Sequence, residues 1–157
     1  MTNQADWLRL QVLYASYGRV LDSGDYPQWP EFFIDDAIYK VQSRENFDRG
    51  LPLAAIALES KAMLQDRVIG ATDTIFHDPY YQRHVIGAPL VLKVQDGVIH
   101  SEASYLVVRT RRDALPEILS VGRYQDKVVD TPSGYRFAER HCIFDNDLIP
   151  NSLIYPI

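Results

Sequence analysis

At 157 residues the chain is long enough to bury one sizeable core and reads as a single domain, residues 1–157. Hydrophobic residues make up 46% and charged residues 24%, which excludes a disordered chain. The net charge of −5 disfavours nucleic acid and anionic membranes as partners, and no apolar run approaches the roughly 20 residues of a membrane helix. The opening MTNQADWLRLQ lacks the basic and apolar regions of a secretory signal, so none is expected.

From Ala5 to Asp22, Trp7, Leu10, Leu13, Tyr14, Tyr17 and Leu21 recur at spacings of three and four, the apolar face of an amphipathic helix. Gly24 ends it, and Asp25 is expected to cap a short second helix whose Pro27 lies in the first turn. Trp29, Phe32 and Phe33 read as core anchors. Ala37–Gln42 alternates as a strand, Leu51–Leu58 is apolar without a clear period, and Glu59–Ala71 has helical spacing. Four β-rich runs follow: Tyr81–Val94, Val98–Arg111, Glu117–Val129 and Tyr135–Phe144. Asp96-Gly97 between two such runs is a strong hairpin signal, and Asp113–Pro116 and Thr131–Gly134 separate the others. Helices followed by an antiparallel meander predict an α+β architecture. Strands this long twist, so the sheet is expected to curve into a cone around the helices.

Which chemistry can such a chain carry? One cysteine, Cys142, excludes an internal disulfide and fits a reducing cytoplasm. A Rieske cluster needs two cysteines and two histidines, so it cannot be built here. His77, His84, His100 and His141 form no close pair at ligand spacing, so no metal is expected. Nucleophile elbows, phosphate loops and dinucleotide fingerprints are missing from the sequence. The rival enzymatic reading is acid/base work inside the cone, as in isomerases, dehydratases and cyclases of that shape. Its candidates are Asp22, Asp36, Tyr39 and His84, with Asp36 and His84 foremost. The plainer reading closes the first helix with Asp22, puts Asp35 and Asp36 in a solvated turn, and hydrogen-bonds His84 to a neighbour. Ten Tyr, six Phe and two Trp, with Arg beside carboxylates on several strands, suit a subunit interface. Arg83, Arg109, Arg123, Tyr124 and Arg140 are the interface candidates, and no catalytic, cofactor-binding or metal residue is assigned.

Tyr14-Ala15, Leu21-Asp22, Trp29 with Phe32-Phe33 and Asp36, Tyr39, and Arg44-Glu45-Asn46 form an ordered series. It continues through Asp66-Arg67-Val68, Arg83-His84, Arg109-Thr110-Arg111, Gly122-Arg123-Tyr124 with Asp126, and Arg136-Phe137-Ala138-Glu139-Arg140. Through this series the chain resembles the small, or beta, subunits of Rieske non-haem iron aromatic-ring hydroxylases. RENF and RGLPL, ALESKAM and DRV, HDPYYQRH and IPNSLIYPI are similar to the salicylate 5-hydroxylase branch, which forms gentisate from salicylate. The resemblance implies a cone-shaped fold of the nuclear-transport-factor-2 type (NTF2-like), with helices packed in a strongly curved antiparallel sheet. It implies an α3β3 hexamer in which the large subunit holds a Rieske [2Fe–2S] cluster and a mononuclear Fe(II). Electrons would come from NAD(P)H through a reductase and a ferredoxin. The small subunit in such enzymes is chiefly structural, and an N-terminal arm present in longer relatives is expected to be missing here.

Overall fold

The computed structural model describes residues 4–74, 77–149 and 153–157. Part of the IPNSLIYPI stretch, residues 150–152, therefore lies outside the described residues. The first helix, α1 (Gln4–Ser23), buries Leu10, Leu13, Tyr14, Tyr17, Val20 and Leu21, each large side chain contributing about 1.5–3 kcal/mol. Trp7 is half-exposed at the rim and donates its indole N–H to Pro89 O at 3.3 Å. Gly24, at φ +74, takes the left-handed conformation that ends the helix, its N–H bonded to Leu21 O at 3.2 Å.

A 3-10 helix, Tyr26–Phe32, follows with Pro27 in its first turn. Asp25 makes no side-chain cap; its carboxylate instead accepts from Gln28 Nε2 at 2.6 Å. Strand β1 (Phe33–Ser43) starts before the expected Ala37. A short helix α2 (Arg44–Asp48), capped by Ser43 Oγ accepting from the Asn46 N–H, had no counterpart in the periodicity. The apolar 51–58 stretch yields only the brief β2 (Ile56–Leu58). Helix α3 (Lys61–Ile69) is capped in the same way by Ser60 and runs into a turn of wider helix, Gly70–Thr74.

The remaining strands are β3 (Tyr81–Ile86), β4 (Leu90–Gln95), β5 (Val98–Thr110), β6 (Glu117–Thr131) and β7 (Gly134–Phe144). The single run expected over Tyr81–Val94 is broken at residues 87–89. Its halves lie end to end along one edge of β5, bridged by Gly87 N–H to Ser104 O at 2.8 Å. Asp96 and Gly97 both have positive φ, as a two-residue hairpin of the favoured hand requires. Sheet order is β2-β1-β7-β6-β5-β3, with β4 also on β5. All pairs are antiparallel except β1 with β7, which is parallel and closes the sheet across the chain's two halves. The curled sheet wraps α1, and one core cluster fills the space between them.

Candidate functional site

Three places could carry function: the interior of the cone, a cleft between α1 and β3, and the outer face of the sheet. In the interior the dominant feature is Arg140, whose side chain is fully buried, as is that of Asp126. Arg140 Nε and one terminal nitrogen donate to the Asp126 carboxylate at 3.0 and 2.7 Å. The Tyr14 hydroxyl donates to the same carboxylate and lies 3.0 Å from Ser101 Oγ. The guanidinium carbon stacks over Phe137, Tyr124, Tyr17 and Tyr14, at 3.9, 4.0, 4.1 and 4.8 Å. Burial opposes the charge on Arg140, but the Asp126 charge and hydrogen bonds outweigh it and hold the guanidinium protonated.

Why Arg140 faces inward is a matter of register. Opposite Lys127 and Val128 of β6, strand β7 carries one extra residue, Ala138. Tyr135 and Phe137 point in before this bulge, and Arg140 and Cys142 point in after it. Burial desolvates the Cys142 thiol and pushes its pKa up to about 12, so it is no nucleophile.

The remainder of the interior is filled by the segment 153–157. Ile157 is 1% exposed. Its carbonyl oxygen accepts from the Tyr17 hydroxyl at 2.7 Å and the Tyr39 hydroxyl at 3.2 Å, and its N–H donates to Tyr39 Oη at 2.9 Å. Tyr155 stacks on Tyr26 at 4.6 Å, and the Arg67 guanidinium donates to the Leu153 and Ile154 carbonyls. Tyr39, a candidate for acid/base work, is thus a packing and hydrogen-bonding residue.

At the α1–β3 cleft, Asp22 and His84 meet across 62 residues of sequence. The Asp22 carboxylate accepts from His84 N–H at 2.9 and 3.1 Å and lies 2.7 Å from Nδ1. A carboxylate only accepts, so Nδ1 carries the proton and Nε2 is left as the second ring nitrogen. Both side chains are nearly inaccessible, at 8% for Asp22 and 0% for His84. Asp36 does not join them. It is exposed in an irregular part of β1, where five steps of chain from Phe33 to Ile38 face two on β7. The acid beside His84 is Asp22, which corrects the pairing of Asp36 with His84; Asp35 and Asp36 are solvated.

The interface candidates separate by burial. Tyr124 and Arg140 are 0% exposed, so their side chains face the chain's own core and offer a neighbour no surface. Arg83 is exposed and lies 3.7 Å from Asp22. Arg109 pairs with Glu117 at 2.8 Å, and its hydrogen bond draws the Glu117 carboxyl below its ordinary pKa. Arg123 lies between Asp48 and Glu102, at 3.7 and 3.6 Å. His100 and His141 sit on the outer face, and His77 bonds the Tyr155 hydroxyl at 2.6 Å. Among the described residues no group of three or more His, Cys, Asp and Glu converges for a metal ion. The donors present, one buried thiol and histidines committed elsewhere or far apart, do not fit a Rieske cluster or a mononuclear iron.

The motifs Gly122–Asp126 and Glu139-Arg140 were visible as charged segments, but their pairing as a core was not. A hint lay in Asp126, which alternates with Tyr124 and Val128, two apolar in-facing positions.

Comparison with known proteins places this geometry. Residues 18–151 match the family described as the ring hydroxylating beta subunit. The chain is 31% identical over 151 residues to the small subunit of anthranilate 1,2-dioxygenase from Burkholderia cepacia, covering 96% of this chain and 94% of that one. It is 25% identical over 150 residues to a beta subunit of the terminal oxygenase component of terephthalate 1,2-dioxygenase from Comamonas sp, covering 96% and 97%. A crystal structure from Novosphingobium aromaticivorans, described as the beta subunit of an aromatic-ring-hydroxylating dioxygenase, superposes with a TM-score of 0.90. It is 36% identical and 98% of each chain is covered. With a cone filled by its own side chains and a family match over most of its length, this chain belongs to the ring-hydroxylating beta-subunit family.

Proposed function

We propose that the chain is the structural subunit of an α3β3 salicylate 5-hydroxylase-like oxygenase in the cytoplasm, one domain that trimerises and carries three large subunits. The large subunit would hold the Rieske [2Fe–2S] cluster and mononuclear Fe(II), supplied with electrons from NAD(P)H through reductase and ferredoxin. The observation that carries the structural role is the filled interior. Arg140, Asp126 and the 153–157 segment occupy the volume in which an acid/base enzyme of this shape would hold substrate. Support for an aromatic acid as the substrate class comes from the relatives, whose names specify anthranilate and terephthalate; salicylate is a third aromatic carboxylate.

Arg83, Arg109 and Arg123 remain the interface candidates. Their guanidinium forks suit carboxylates on a neighbouring subunit, and on β6 the exposed Val121 adds apolar area beside Arg123 and the exposed Ile118 adds it at the Arg109 end. The test is co-expression with the large subunit. Equal stoichiometry and salicylate hydroxylation to gentisate only in the complex are expected. The chain alone is expected to show no visible absorption and no turnover. An isolated chain that transforms a small ketone or cyclic substrate as a monomer or dimer would overturn the proposal.

A further inference from the structure

Residues 153–157 fill the cone without joining its sheet: they pair with no strand, yet all but Leu153 are buried. Side chains from α1, β1, α3 and the 77–80 segment hold them instead. Tyr39 pairs with both main-chain groups of Ile157, its hydroxyl accepting from the N–H at 2.9 Å and donating to the main-chain oxygen at 3.2 Å. Tyr17 donates to the same oxygen at 2.7 Å, and the Trp29 indole N–H, 3.2 Å away, orients the Tyr17 hydroxyl for that task. The Cys142 thiol lies 3.5 Å from this oxygen. Two places earlier, Tyr155 stacks on Tyr26 and bonds His77 through its hydroxyl, and Arg67 donates to the Leu153 and Ile154 carbonyls. A bound peptide is held in this manner: polar side chains pair with its main chain while alternate side chains enter pockets. The walls of the seat brace one another without the segment. Trp29 packs edge-on against Tyr39 and Phe33 at 5.0 and 5.7 Å, and Tyr17 against Phe137 at 5.7 Å.

We propose that this seat is a peptide-binding site, occupied here by the chain's own residues 153–157. It takes an extended apolar segment with an aromatic residue two places before the one whose main chain Tyr39 pairs with. Tyr39 and Tyr17 recognise that main chain, and Tyr26 and His77 select the aromatic residue. Because the segment is tethered to the chain it fills, its effective concentration is high and a free peptide does not displace it. Docking of the segment is thus a binding step that closes the cone around an already formed sheet and helix. The inference concerns the small subunit alone and stands whichever ring substrate the assembled enzyme takes.

The test is complementation of the full chain carrying Tyr155→Gly and Ile157→Gly together, which weakens the segment and leaves every residue of the seat in place. Cys142, the single cysteine, is the reporter. N-ethylmaleimide should label it in the double variant and not in the parent chain, while circular dichroism shows the helices and sheet retained. The synthetic peptide Leu-Ile-Tyr-Pro-Ile should then suppress labelling saturably and return the Trp29 indole N–H resonance to its parent position. A peptide with glycine at both changed places should bind more weakly by about a hundredfold or more, as the loss of two buried side chains implies. Tyr39→Phe in the same background keeps the ring and should weaken the parent peptide by about tenfold. A double variant that is unfolded alone but folds and resists labelling once the peptide is added supports the site equally. A variant that stays unfolded with peptide present would show the segment to be an integral part of the core and overturn the inference. Labelling of the parent chain at the variant's rate, labelling that the peptide does not suppress, or equal protection by the two peptides would each overturn it as well.

Discussion

Asp126 and Arg140 form an ion pair buried inside the curled sheet. Both side chains are out of water, so each has lost its hydration and depends on the other and on the Tyr14 hydroxyl. One terminal nitrogen of Arg140 still makes no hydrogen bond, which leaves the network incompletely satisfied. Asp126→Ala should leave an uncompensated guanidinium among four aromatic rings and cost about 3–5 kcal/mol in urea unfolding. Replacing both residues by apolar ones of similar volume should recover most of that loss, because the pair's net contribution is small compared with the cost of breaking it. A double variant no more stable than the single one would show instead that the ring cage needs the cation.

At the scale of elements, the sheet is shaped by extra residues at defined places. Ala138 on β7 and Leu119 on β6 each switch which residues face inward, and the Leu92 position on β4 shifts register against β5. Gly122 answers to the same close packing of β6 against β7. A Cβ there would lie 1.9 Å from the Ile143 carbonyl oxygen and 2.9 Å from Phe144 Cα, both backbone atoms that cannot rotate away. Gly122→Ala should therefore pry the two strands apart and destabilise by about 1–3 kcal/mol or more. Hydrogen exchange should show the opening first between β6 and β7. Uniform exchange, with the urea midpoint unmoved, would contradict that picture.

On the scale of the whole molecule, histidines on the outer face of the sheet contribute to the response to acid. His141 sits there beside Phe47 and Glu139, and its pKa is lowered from 6.5, first by burial. Glu139 and Asp126 oppose that shift, while Lys40 and Lys127 add to it. The unfolded chain binds the proton more readily than the folded one, so stability is full above about pH 6.5 and falls as pH drops through the lower folded pKa. The unfolding midpoint should decline over that window, and His141→Gln should flatten the decline. An identical pH profile in the variant would assign the acid response to His100 or to the carboxylates instead.

Taken by itself, the sequence determined what depends on neighbours along the chain. The face of α1 from Leu10 to Leu21, its end at Gly24, the Asp96-Gly97 hairpin and the lack of a Rieske ligand set are local or countable properties. Periodicity and backbone sterics act over a few residues and leave their mark in order. The tertiary structure decided what depends on register between distant strands. The parallel β1–β7 pair, the inward turn of Arg140 after Ala138, and the choice of Asp22 over Asp36 as the partner of His84 all belong there. Side chains alternate along a strand, so one inserted residue reverses which of them are buried, and no composition or spacing within the strand records where that residue falls.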